Sequence, residues 1–302
     1  MDSLEKRLSL VVDIAEKGEL QWKSVGAQTF AVIPKDGGTT MLAFSSDDRR
    51  ALDARLLERR ALRDEVIQAQ AQAPTLSRST ESWLRTKGVA VFEERLIFKA
   101  QPPISKDALA DIEGQCAGPV PDELRELWSV CFGGQVFYDL LGRFPDVEPL
   151  VPLSFREIFY DGSGFYRDLS GWIAHSLELA EERATERGKP APDVINPLPF
   201  GGFEYHNRAY IELVGEARGA VRFWQQALPP AWNGALKSDG VSNIASSLKG
   251  LFRRLHVGVE QAPDPYGDTQ DVLKRLAALT EDVPHRHAEL RAFYLSAKPL
   301  VE

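Results

Sequence analysis

Gly118-Pro-Val-Pro-Asp-Glu-Leu-Arg-Glu-Leu-Trp-Ser-Val-Cys-Phe-Gly-Gly134 is a complete instruction for one amphipathic helix. Gly118-Pro119 makes a rigid turn, and Pro121 suits the first helical position, where its missing N–H costs nothing. Leu124, Leu127, Trp128 and Cys131 then recur at i, i+3, i+4 and i+7, which places them on one face at 3.6 residues per turn. Gly133-Gly134 predicts the stop. Just upstream, Ser105 reads as an N-cap for a second helix with Ala108, Leu109, Ile112 and Cys116 on its stripe. Two adjacent one-sided helices need an apolar layer to lie against.

The layer is predicted from strands on both sides. Downstream, Ala209–Leu213 and Ala220–Trp224 read as strands joined through Gly215 and Gly219. Upstream, Val89–Phe92 and Arg95–Lys99 read as a hairpin turning at Glu93-Glu94. Between them the aromatic and Gly-rich stretch 136–166 has no clear period. Further helices are expected from Ser170 (Ile173, Leu177, Ala180 and Ala184 on one face), from Ser246 or Ser247 (Leu248, Leu251, Phe252, Leu255), and twice in the tail, around Leu276 and after Pro284. Near the start, Leu4–Glu16 reads as a helix, Thr29–Ile33 and Thr40–Phe44 as strands, and Asp47–Ala71 as a long helix. The Arg-rich face of that helix is interleaved with Asp53, Glu58, Asp64 and Glu65, which predicts a solvated surface laced with ion pairs and not a nucleic-acid patch.

The expected class is α+β: a twisted, mostly antiparallel sheet packed by helices, with an additional α/β N-terminal region and a helical C-terminal tail. Gln101-Pro-Pro103 is the natural boundary. It divides the chain into a mixed region 1–100, a domain 101–258 and a helical extension 259–302. The N-terminal region reads either as a second binding module or as an extension of the same sheet.

The 302 residues carry 36 Lys+Arg against 44 Asp+Glu, a net charge of −8. Residues 1–103 hold 16 basic and 15 acidic side chains, residues 104–257 hold 15 and 21, and residues 258–302 hold 5 and 8. The acidity therefore sits in the middle and the tail, and it argues against a phosphate-binding surface. The first residues lack an apolar signal core, no stretch of 18 apolar residues occurs, and the two cysteines, Cys116 and Cys131, read as small buried thiols. A reducing cytoplasm is the expected setting.

No phosphate-binding loop, HExxH, CxxC or nucleophile elbow occurs. His285 and His287 lack acidic or Cys partners at metal-ligand spacing. No cofactor and no metal is expected.

Several words appear in a telling order: Ile104–Glu113, Val120-Pro121 leading into Leu124 and Trp128, Gly133-Gly134, Leu198-Pro-Phe200-Gly201, Tyr210–Leu213, Val221–Trp224 and Ser247–Phe252. In this order they resemble the SUKH superfamily of bacterial immunity domains, related to fungal cell-wall synthesis regulators, over about residues 104–257. Phe132 stands where that family has Asn, and Gly-Gly-Phe-Glu-Tyr205 replaces its acidic or Gly run. The signature positions, Pro121, Leu124, Trp128, Gly133, Gly134, Phe200, Gly201 and Trp224, are expected to be structural, with Trp224 filling the sheet–helix core. The resemblance implies a non-catalytic immunity protein that binds a cognate toxin protein, with neither nucleic acid nor membrane as partner. The alternatives are a scaffold or regulatory interaction protein, and an enzyme with an unrecognised site. Aromatic residues beside acids in Gly-rich stretches are the candidate partner contacts: Tyr138, Asp139, Asp161, Phe165, Tyr166 and Asp168.

Overall fold

The computed structural model describes residues 3–35, 38–143, 151–163, 167–203, 207–225, 241–258 and 269–298. The class is α+β. At the N-terminus, helix α1 (Ser3–Glu16) precedes an antiparallel meander, β1 (Gln21–Val25), β2 (Gln28–Lys35) and β3 (Gly38–Phe44). A long helix, α2 (Ser46–Gln72), follows. It begins at a capping box in which Ser45 and Asp48 each accept the other's backbone N–H. Leu8, Val11, Val12, Ala31, Phe44 and Leu52 form a small core of their own. Arg59 bridges Asp13 at 2.7 Å and Glu16 at 3.2 Å, and Arg63 bridges Glu16 at 2.6 Å. The arginine-rich face is thus laced with ion pairs: Arg59 and Arg63 reach across to α1, and Arg50 pairs with Asp47 along α2 itself.

The second half of α2 leaves this small core. Leu62, Val66 and Ala69 pack into the main core of the molecule. After α3 (Arg78–Thr86) comes the hairpin β4 (Val89–Phe92) and β5 (Arg95–Phe98), turning at Glu93 and Glu94 with φ of 43° and 58°. The chain continues through α4 (Lys106–Glu113), α5 (Asp122–Val130), β6 (Gly134–Gly142), β7 (Val151–Ile158) and α6 (Leu169–Glu186). Strands β8 (Leu198–Phe203), β9 (Asn207–Ile211), β10 (Val221–Gln225) and β11 (Val241–Ala245) come next, then helices α7 (Leu248–Arg254), α8 (Thr269–Leu279) and α9 (Pro284–Leu295).

Eight strands make one antiparallel sheet in the order β11-β10-β9-β8-β7-β6-β5-β4. The expected boundary at 100/101 falls inside this sheet, because β5 pairs with β6 through Phe98 and Gln135. Residues 89–98 extend the same sheet, and α8 and α9 contribute Leu276, Leu290, Phe293 and Tyr294 to the same core. The sheet curls until β11 nears β6: the Ser242 hydroxyl donates to the Arg143 carbonyl.

The signature residues are mostly packing residues. Leu124 and Trp128 are fully buried, and Pro121 sits at the N-cap of α5, one position before the expected first turn. The helix ends at Val130 with Cys131 extended, so Gly133-Gly134 does not stop it. These glycines instead allow close backbone approach: a Cβ on Gly133 would lie 2.6 Å from the Ile158 carbonyl oxygen, and one on Gly134 2.7 Å from that of Phe98. A Cβ on Gly201 would lie 2.7 Å from the Glu157 carbonyl oxygen and from the Phe155 ring. Phe200 and Phe155 meet edge to face in the core. Trp224 corrects the expectation. Phe223 enters the main core, and one residue later Trp224 faces the other side of the sheet, beside Tyr210.

One buried cation ties the distant parts together. Arg95 is 5% exposed. Its Nε donates to the Leu255 carbonyl at 2.9 Å, its Nη1 to that of Glu94 at 3.2 Å, and its Nη2 to those of Lys298 at 3.3 Å and Arg253 at 3.5 Å. Its guanidinium lies 5.7 Å from the Tyr138 ring centre. Arg253, Leu255 and Lys298 lie at or just beyond the C-terminal ends of α7 and α9, where carbonyls lack helical partners and a positive charge is favoured. Replacing Arg95 with Met orphans these carbonyls, so Arg95→Met is expected to lower stability by about 3 kcal/mol or more in urea unfolding. Arg95→Lys keeps the charge but not the fork and should fall between. A loss under about 1 kcal/mol for Arg95→Met would show that the carbonyls find other partners.

Candidate functional site

The six candidate contacts separate once placed. Tyr138 is 1% exposed, and its hydroxyl accepts the Leu96 N–H at 2.9 Å. It packs against Tyr294 of α9 and is a core residue, out of reach of any partner. Burial pushes its phenol up to about 12, with Arg95 opposing. Asp139 is held at 3.4 Å by Arg156, and its backbone exchanges hydrogen bonds with His256. Asp168 accepts from Gly171 N at 2.9 Å, Ser170 Oγ at 3.0 Å and Gly162 N at 3.0 Å, which is N-cap geometry for α6, two residues before the expected Ser170 cap. Burial raises its carboxyl, and these three bonds more than reverse that. Asp161 is exposed in a turn. Phe165 and Tyr166 lie outside the described residues. Of the described four, Asp161 alone stands open to solvent, and the structure does not gather the set into one surface.

A different acidic surface is present. Residues 105–130 carry Asp107, Asp111, Glu113, Asp122, Glu123 and Glu126 against only Lys106 and Arg125. Ile112, Leu124, Leu127 and Trp128 point into the core, so the periodicity that buries one side turns Asp107, Asp111, Asp122 and Glu126 outward, all exposed. Glu113 and Glu123 do structural work instead. Glu113 accepts from Val120 N and Arg125, and Glu123 accepts the backbone N–H of Lys249 at the start of α7.

A cleft of about 640 Å³ opens where α2, α7 and α9 end. Ala73, Glu93, Glu94, Arg95, Arg253 and Lys298 are among its walls. Three of these, Ala73, Glu93 and Glu94, hold left-handed backbone that non-glycine residues seldom adopt. Its charges are largely committed already: Glu93 bridges Arg253 at 3.1 Å and Lys249 at 3.6 Å, and Arg95 spends its donors on carbonyls.

The most unusual electrostatic feature lies on the opposite face of the sheet. Arg208 on β9 is 5% exposed, and its guanidinium sits 4.3 Å from the ring centres of both Trp172 (α6) and Trp224 (β10). Trp224 is its direct cross-strand neighbour. Its Nε is buried without a hydrogen-bond partner, and among the described residues no carboxylate lies within ion-pair distance. Burial lowers its pKa, while Tyr210 opposes. Cation–π attraction is worth about 2 kcal/mol per desolvated ring. An uncompensated buried charge costs several kcal/mol, so the indoles offset the burial only in part. Arg167 lies 5.7 Å from the Trp172 ring centre, and His175 follows at 5.9 Å between rings. Burial depresses the His175 imidazole; Arg167 and Arg208 add to this, and Glu178 at 3.4 Å works against it.

Among the described residues, no group of three His, Cys, Asp or Glu side chains is placed to hold a metal ion, and no helix is long and apolar enough to cross a membrane. No family model, no curated protein and no solved structure matches this chain. Reading the sequence missed Arg95, Arg208 and Trp172. The signal was weak in each case, because each side chain meets partners far away in sequence. For Arg208 the one local hint was a charged residue alternating with Ala209 and Ile211 on a strand.

Both cysteines are free and buried. Burial raises Cys116 to about 11, with Glu113 adding to the shift, and Cys131 to about 12. At about pH 8 a raised pKa leaves both as protonated thiols, whereas in the unfolded chain a substantial fraction is thiolate. Iodoacetamide should therefore label neither cysteine in the native protein and both in denaturant, read by intact mass. Labelling of Cys131 at native conditions would show that this part of the core opens.

Proposed function

We propose that this chain is a cytoplasmic immunity-type protein that neutralises a cognate toxin by binding it, without catalysis. The observation that carries this reading is the outward face of α4 and α5. A segment buried on its inner side by Ile112, Leu124, Leu127 and Trp128 carries Asp107, Asp111, Asp122 and Glu126 on its outer side. Such a surface captures a basic partner quickly, through long-range attraction, and orients it. Toxin domains that act on nucleic acid are themselves basic where they meet phosphate. The likeness of residues 104–257 to immunity domains supports the same reading.

The second reading is a scaffold that carries a separate binding activity. The small core of Leu8, Val11, Val12, Ala31, Phe44 and Leu52 favours it, because that layer is built apart from the main core.

Co-expression with the toxin domains encoded beside the gene should restore growth and yield a stable complex. In that complex, a variant carrying Asp107→Lys, Asp111→Lys, Asp122→Lys and Glu126→Lys should associate about tenfold or more slowly at low salt, with the difference shrinking as salt rises. Its unfolding midpoint should fall only slightly, because all four side chains are exposed and the Glu126–Lys249 ion pair at 2.7 Å that the variant breaks is a surface one. No rescue and no complex with any neighbouring toxin would defeat the immunity reading, and stable capture of host proteins in its place would favour the scaffold.

A further inference from the structure

The geometry points to a carboxylate-binding site at Arg208, bounded by Trp172 and Trp224 and supported by Arg167. This goes beyond the toxin-binding proposal, because it uses the other face of the sheet and the opposite charge. It stands or falls without it.

Three observations carry the inference. First, the charge is uncompensated. On the same face, Arg222 reaches Glu212, one diagonal step across the strand pair, at 3.1 Å, whereas Arg208, paired with Trp224 on one side and Gly202 on the other, has no acid within ion-pair distance among the described residues. Second, the cation is fixed. Both indoles lie 4.3 Å from the guanidinium carbon, and both are nearly fully buried, so the donors are held in one plane before any ligand arrives. A guanidinium offers its N–H groups in that plane, and a flat carboxylate matches it with paired hydrogen bonds. Third, neighbouring charge has the right sign: Arg167 lies 5.7 Å from the Trp172 ring centre, with Glu178 at 4.0 Å offsetting part of its field.

A carboxylate is favoured over phosphate on charge. The surrounding region 104–257 has 21 acidic against 15 basic side chains, which repels a dianion more than a monoanion.

The indoles report on the site directly. Intrinsic tryptophan fluorescence of the full chain should change saturably on titration with acetate at fixed ionic strength, with chloride as control. A short peptide with a free terminal carboxylate, set against its amide, distinguishes a free carboxylate from a chain terminus as the source. Arg208→Met is expected to weaken binding by about tenfold or more, because a charged hydrogen-bond donor is lost. Should Arg208→Met fail to fold, Arg167→Gln keeps the test alive: it removes a more exposed charge and should weaken the acetate response several-fold, as the fading of a nearby like-signed field requires. Absence of a saturable response to any carboxylate overturns the proposal. So does tighter binding of phosphate than of acetate, or a response unchanged in Arg208→Met.

Discussion

The hydrogen bonds from Arg95 to the carbonyls of Arg253, Leu255 and Lys298 hold together elements that are 158 to 203 residues apart in the chain. Arg253 and Leu255 are at the end of α7 and just past it, Lys298 follows α9 by three residues, and such carbonyls need a donor when they are covered. A lysine would supply one point charge. The guanidinium supplies a fork that reaches two helix ends at once and still lies over the Tyr138 ring. The positions of α7 and α9 on the sheet follow from this. Tyr138 is locked from the other direction, by its hydroxyl on Leu96 and by Tyr294, whose own hydroxyl donates to the Phe137 carbonyl at 2.7 Å. The hairpin β4–β5 and the C-terminal helices are therefore parts of one interior, although chain order places a whole domain between them.

Around that anchor the sheet divides its residues by period two. On one face Phe155 meets Phe200, Phe223 and Phe252 at edge-to-face angles, an arrangement that aromatic rings prefer. Gly201 leaves room for the Phe155 ring, and any side chain there would strike it or the Glu157 carbonyl. The other face carries Arg208, Tyr210, Glu212, Arg222 and Trp224, covered in part by Trp172 of α6. A strand such as β10, which reads Val-Arg-Phe-Trp, thus serves two different layers with consecutive residues.

Local signals were legible and distant ones were not. The apolar stripe of α5, the Ser105 and Ser247 caps and the turn at Glu93-Glu94 depend on neighbours within four residues, and the sequence states them openly. Strand β6 is obscured because both its faces are covered, so no alternation survives: Phe137 lies under Arg275, and Tyr138 lies against Tyr294. The same double covering made Tyr138 look like a surface anchor, since an aromatic beside an acid has one appearance in sequence whether it faces solvent or a helix. Gly133 and Gly134 were read as a stop because glycine commonly ends helices. Their packing against Ile158 and Phe98 comes from strands absent from the local window.

The contrast between Arg208 and Arg222 bears most directly on function. The two side chains project from adjacent strands on one face, with the Arg222 side chain 41% exposed and Arg208 only 5%. Arg222, partly open to solvent, pairs with the buried Glu212, which is itself oriented by the Asn196 amide at 3.1 Å. Arg208 is the more buried of the two, so desolvation presses on it harder, yet the neighbouring strand offers it an indole. An indole contributes attraction without consuming a single N–H. Both arginines have an aromatic residue directly across the strand pair, Tyr210 for Arg222 and Trp224 for Arg208, but Arg222 also has an acid on the diagonal and Arg208 has none among the described residues. Keeping the cation rigid, shielded and with its hydrogen-bonding capacity unspent is what a site for an incoming anion requires.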